Sequence, residues 1–118
     1  MKKIISVLIL TLGLNVFGQD IPKVMKTEFP AAALQDTLVD LQGNSATIEK
    51  VLSNYKGKIV VLDLWATWCG DCIKNIPSLK TLHDKNPDVA FVYLSMDRTS
   101  EAWKKGIEKY QIEGNHYY

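Results

Sequence analysis

The chain has 118 residues, enough for one compact domain and too few for two. Hydrophobic residues make up 47% and charged residues 23%, which excludes an intrinsically disordered chain. With 14 Lys+Arg against 13 Asp+Glu the formal charge is +1, so composition offers no electrostatic basis for nucleic-acid binding. Two cysteines are too few for a disulfide scaffold or a closed four-ligand zinc site.

Lys2 and Lys3 precede an apolar run, Ile4 to Leu14, interrupted by Ser6, Thr11 and Gly13. A basic start, about eleven apolar residues and the small Gly18 at a cut site form a secretory signal pattern. Because a bilayer span needs roughly 20 apolar residues, residues 1–18 are read as a signal peptide. An uncleaved anchor is the alternative, and the only membrane attachment expected. Cleavage would remove Lys2 and Lys3, leaving 12 basic and 13 acidic residues. Export places the cysteines in an oxidising, periplasm-like space.

Residues 19–33, with Pro22 and Pro30, read as a linker, and residues 34–118 as the domain. Leu34 to Leu41 is expected to be a strand, ended by the turn Gln42-Gly43-Asn44-Ser45. Ile48, Val51, Leu52 and Tyr55 share a helix face, and Gly57 suits the C-terminal cap. Ile59 to Trp65 is nearly all apolar, which predicts a strand buried on both faces. A second helix is expected from Cys69, with Ile73, Ile76, Leu79 and Leu82 inward and Pro77 inside it, closed by Asn86-Pro87-Asp88. Val89 to Met96 predicts another buried strand. Thr99 or Ser100 then caps a helix on which Trp103, Ile107 and Tyr110 share a face. Two buried strands joined by a helix run parallel with a right-handed crossover, giving an α/β sandwich.

Trp68-Cys69-Gly70-Asp71-Cys72 falls where the buried strand ends and the second helix starts. Unpaired amides in a helix's first turn carry about half a positive charge, which stabilises a thiolate. Cys69 is therefore expected below the free-thiol pKa of ~8.5, in the ~3.5–7.5 range of such motifs. Cys72, one turn along, is the shielded partner that resolves a mixed disulfide. Asp71 opposes thiolate formation, by less than ~1 pKa unit if solvated. Strand alternation puts Asp63 on one face with Val61 and Trp65, and burial there raises a carboxyl pKa. Asp63 is thus a candidate to take the Cys72 proton, a structural Asp being the alternative.

Trp65-Ala66-Thr67-Trp68-Cys69-Gly70-Asp71-Cys72, with Pro77 five residues on, resembles the active site of the thioredoxin fold. The lead-in from Leu41-Gln42-Gly43 to Gly57-Lys58 resembles the secreted TlpA/ResA branch of thiol–disulfide reductases. The resemblance implies an attacking Cys69, a resolving Cys72, Trp68 packed beside them, a helix kink at Pro77 and a buried acid at Asp63. It also implies a thioredoxin-like three-layer sandwich. It departs at Asp71, where proline is most common, and at Tyr93, near where thioredoxins often carry a lysine paired with the acid. The cis-proline loop, last two strands and final helix of the family have no counterpart up to Tyr118, so an N-terminal fragment is expected, its active-site strand unpaired along one edge.

The implied activity is reduction of partner-protein disulfides in the periplasm, with re-reduction by a membrane electron donor. No cofactor or metal is expected beyond the Cys69–Cys72 pair. Thiol oxidation or isomerisation, peroxide reduction, and a binding module with a structural disulfide are the alternatives. A metal site joining both cysteines to His83 and His116 matches no common spacing. Trp65, Trp103 and the tyrosines are expected in the core or at its margin, and Lys104, Lys105 and Lys109 on a solvated helix face.

Overall fold

The computed structural model describes residues 28–118; the expected signal peptide and residues 19–27 of the linker lie outside the described residues. Pro30 leads into one helical turn, α1 (Ala31–Leu34), before strand β1 (Thr37–Val39) begins. The strand expected from Leu34 is thus shorter and later. Three consecutive alanines after a proline favour helix, and that local preference wins. β1 turns into β2 (Ser45–Thr47), antiparallel, with Val39 opposite Ser45. The turn is held by Asp40, whose Oδ1 accepts from Gln42 N and Asn44 N at 2.9 and 2.8 Å.

Thr47 caps α2 (Ile48–Ser53), its Oγ1 accepting from Lys50 N at 3.2 Å. α2 has already ended at its cap residue Asn54, so Gly57 is not its cap. Gly57 instead takes φ +80° in the turn leading to β3 (Val60–Trp65). Then follow α3 (Gly70–Lys85), β4 (Ala90–Ser95), α4 (Ser100–Tyr110) and β5 (Asn115–Tyr117). Thr99 caps α4 as expected, accepting from Ala102 N at 3.2 Å.

β3, β4 and β5 form a parallel sheet in that order. Successive right-handed crossovers that step in one direction put both connecting helices on the same face. The core bears this out: Ile73, Ile76 and Leu79 of α3 and Trp103 and Ile107 of α4 pack with Trp65, Phe91 and Tyr93. The other face carries Val92 and Leu94, covered by Val51 and Tyr55 together with Leu38 and Ala46 of the hairpin. Val39 and Tyr118 exchange both backbone hydrogen bonds, 2.8 and 2.9 Å, and so join the hairpin to the β5 side of the sheet. The result is a three-layer α/β arrangement.

Two burial expectations change. β3 is only half-buried along its length, with Leu64 56% exposed and Ile59 before it 72% exposed. It is an edge strand: among the described residues nothing pairs with its outer side. Leu82 on α3 faces out, and the neighbouring His83 turns its ring edge to Phe91 at 4.9 Å. β5 was not foreseen, because Asn-His-Tyr carries no apolar alternation; its place comes from β4 alongside it.

Candidate active site

β3 ends by burying Trp65 and Ala66, and the chain then turns outward through Thr67 and Trp68. Cys69 is the N-cap of α3, with extended backbone and its Sγ accepting from Cys72 N at 3.3 Å. The helix start therefore delivers a backbone donor directly to this sulfur, as the charge argument for an N-terminal thiolate requires. Cys69 and Cys72 are joined in a disulfide, with Cα atoms 5.2 Å apart. Cys72 packs against the core cluster of Trp65, Phe91, Tyr93 and Trp103, while Cys69 sits at the rim as part of the turn.

The remaining expected residues fall around this pair with different degrees of engagement. Asp71 is solvated, its side chain 97% exposed and 3.5 Å from Lys74 Nζ, which weakens its opposition to a thiolate. Gly70 opens α3 with free space where a Cβ would stand. Trp68, next to Cys69 in sequence, is 68% exposed. Pro77 lies inside α3, two turns from the dithiol, and lacks the N–H that would bond Ile73. Asp63 is half-buried on β3, in register with Tyr93 of β4. Burial pushes its carboxyl above the usual carboxylate range. Tyr93 is pushed up too, first by burial and second by the charge of Asp63.

One cluster escaped the sequence reading. Asp97, buried just after β4, accepts at Oδ1 from Thr67 N (3.0 Å) and Thr67 Oγ1 (2.6 Å). Its Oδ2 accepts from Ser95 Oγ (2.9 Å), which in turn accepts from Asp97 N (3.0 Å). Met96 N donates to Trp65 O at 2.8 Å beside them. The end of β4 is thus tied to the loop that presents Cys69. Gly106 of α4 presses on the same loop: a Cβ there would collide with Thr67 Cγ2 and stand 3.0 Å from the Trp65 ring. The signals were present in the sequence, as a glycine inside a helix and a polar pair closing an apolar strand.

The histidines do not join the cysteines. His116 is buried, stacked on Tyr93 at 5.2 Å, with Nε2 2.9 Å from Ile112 O. Burial holds its pKa down, the Ile112 carbonyl countering in part. His83 lies near Asp84 and Glu113, but Lys80 Nζ already pairs with Glu113 at 3.5 Å. Trp65, Trp103 and Tyr93 are in the core, and Lys105 pairs with Glu101 on the outer face of α4, as expected.

A disulfide-forming pair separated by two residues, its first cysteine capping the helix that follows a parallel strand, defines a CxxC redox-type site on an α/β sandwich. The family model described as thioredoxin-like matches residues 57–118, and the chain belongs to the thioredoxin-like family. It is 31% identical over 115 residues to the thiol-disulfide oxidoreductase ResA of Bacillus cereus, covering 94% of this chain and 64% of that protein. A secreted disulfide oxidoreductase of Mycobacterium tuberculosis, described as homologous to E. coli DsbE, superposes with TM-score 0.59 at 28% identity. That match covers 74% of this chain and 62% of the other. The thioredoxin domain of a thiol-disulfide oxidoreductase from Bacteroides vulgatus gives TM-score 0.58 at 31% identity, covering 75% and 64%. The chain therefore spans somewhat under two thirds of the length of these relatives.

Proposed function

We propose that this chain carries the dithiol of a protein-disulfide reductase working outside the cytoplasm. The observation that carries the reading is Cys69 at the cap of α3, its sulfur facing a helix amide and already paired with Cys72. In the reduced form, the Cys69 thiolate attacks one sulfur of a partner's disulfide, forming a mixed disulfide and releasing the partner's other sulfur as thiolate. Cys72 then loses its proton and attacks Cys69, which regenerates the Cys69–Cys72 bond and frees the second partner thiol. Two electrons pass to the partner, and a membrane electron donor must return them. Asp63, its carboxyl raised by burial, is the group suited to take the Cys72 proton, with Tyr93 beside it. The two sulfurs hold the electrons, so the cycle calls for no organic cofactor.

The direction of transfer is supported by Asp71, whose solvated carboxylate opposes the Cys69 thiolate. Location rests on the basic-then-apolar start, Lys2 to Leu14, and on a structural relative described as secreted. Among the described residues no helix is long and apolar enough to cross a membrane.

Redox titration of the full chain against glutathione buffers tests the reading, with Cys72→Ser as a trap for partners. The expected result is a reducing potential and a mixed disulfide through Cys69. A potential near ~−120 mV would reverse the direction. A Cys69 inert to iodoacetamide at neutral pH after reduction would end the reading altogether.

A further inference from the structure

The Thr67–Asp97 contact is built more strongly than a loop tie requires. Asp97 is 7% exposed, and every hydrogen-bond partner it has among the described residues is neutral: Thr67 twice and Ser95. All three bonds are received by the Asp97 carboxylate oxygens, two at Oδ1 and one at Oδ2. Burying a carboxylate without a cation is costly, and here three donated hydrogen bonds offset that cost while fixing its geometry. Its grip falls on Thr67, two residues before Cys69, whose own N–H is turned back to Ala66 O at 3.1 Å. The whole turn from Ala66 to Cys69 is therefore fixed at both ends.

We propose that Asp97 is a positioning residue of the dithiol. Its carboxylate holds the turn that presents Cys69 and sets a fixed negative charge against that turn, opposing the thiolate-stabilising end of α3. This deepens the dithiol reading above and rests on it. The charge works toward reductase behaviour, because a less stable thiolate makes the disulfide form the better-favoured state. Other charged groups around the turn are placed differently. Arg98, next in sequence, is exposed, Asp71 faces Lys74 in solvent, Lys105 pairs with Glu101, Lys109 lies over the Tyr110 ring, and Asp63 sits half-buried on β3. Asp97 is the charge locked onto the turn itself.

The test is the pH profile of iodoacetamide alkylation of Cys69, with the glutathione equilibrium, in the reduced full chain. Asp97→Asn keeps an acceptor for Thr67 and removes the charge. Its alkylation midpoint should fall, the rate on the acid side of the midpoint should rise about fivefold, and the equilibrium should shift toward the dithiol. Thr67→Val keeps the shape and the charge but removes the hydroxyl that offsets it. Its midpoint should rise and its rate on the acid side of the midpoint should fall about twofold. Opposite directions are the signature, since loosening of the turn alone would move both variants the same way. Equal shifts, or an unchanged Asp97→Asn profile, overturn the proposal while leaving the dithiol reading intact. If Asp97→Asn does not fold, the direction of the Thr67→Val shift decides. A wild-type Cys69 that resists alkylation overturns both.

Discussion

β3 and β4 lie side by side in one sheet, in register from Val60–Ala90 to Trp65–Ser95, yet they do different jobs. From Phe91 to Ser95, β4 has every residue buried, covered by helices on one face and by α2 and the hairpin on the other. β3 has one neighbour and a half-exposed row of side chains. The strand that carries the dithiol is thus the less protected one. Its position is borrowed from its neighbour through backbone pairing, the Met96–Trp65 bond and the Asp97 grip on Thr67. Stability is concentrated in β4 and chemistry is presented from β3.

The sharpest break of that division is at the sulfur. Cys69→Ser should remove disulfide exchange by about a thousandfold or more, because a hydroxyl cannot replace the thiolate, while leaving thermal unfolding of the reduced protein nearly unchanged. Exchange assays alongside calorimetry check both halves. The converse holds on β4, where Phe91→Ala, at a side chain 1% exposed, should cost about 3–5 kcal/mol by urea unfolding. On the edge strand, Leu64→Lys should stay within about 0.5 kcal/mol, since that side chain is 56% exposed. Comparable losses at Phe91 and Leu64 would refute the division.

Much of this was legible from the residues. The β4 run, the cap at Thr99, the turn before Ser45 and the helix starting at Cys69 follow from local patterns that tertiary packing did not contradict. The paired cysteines and Asp63 stood out because chemistry restricts the residue types able to do their work. What escaped depends on contacts distant in sequence. Asp97 meets Thr67 across 30 residues, and β5 is a strand only because β4 offers an edge. The burial of β3 was overestimated from its apolar pattern, which reads alike for one neighbour or two; the unpaired edge followed only from the family resemblance.

A smaller effect probes the seam between the two regions. Gly106→Ala would gain up to about 1 kcal/mol of helix propensity but force Thr67 and the Trp65 ring to move. Overpacking of this kind costs about 1–3 kcal/mol, so a net loss is expected in urea unfolding, with a changed alkylation rate at Cys69. A stabilised variant with unaltered alkylation would mean that α4 does not press on the active-site turn.

The smallest effects come from the polar row Asp63–Tyr93–His116, which crosses the sheet in register. Asp63 has a carboxyl raised by burial, so across the window above its unfolded value the folded state binds more protons. Stability therefore falls as pH rises through its folded value, and the buried charge remains a cost at pH 7. His116 has the opposite sign. Burial lowers its pKa, so below about 6.5 the unfolded state takes the proton first and stability falls as pH falls. Asp63→Asn should stabilise the protein at pH 7 by under about 1 kcal/mol, the gain limited by solvent screening of a half-exposed group. His116→Gln should flatten the slope below pH 6.5 and leave the neutral side unchanged. Urea midpoints from pH 4 to 8 separate the two: Asp63 contributes a slope that falls with rising pH and His116 one that rises toward pH 6.5, so the two oppose each other in wild type and each variant should leave only the other slope. A variant that removed both would show that the row titrates as a single coupled unit through Tyr93.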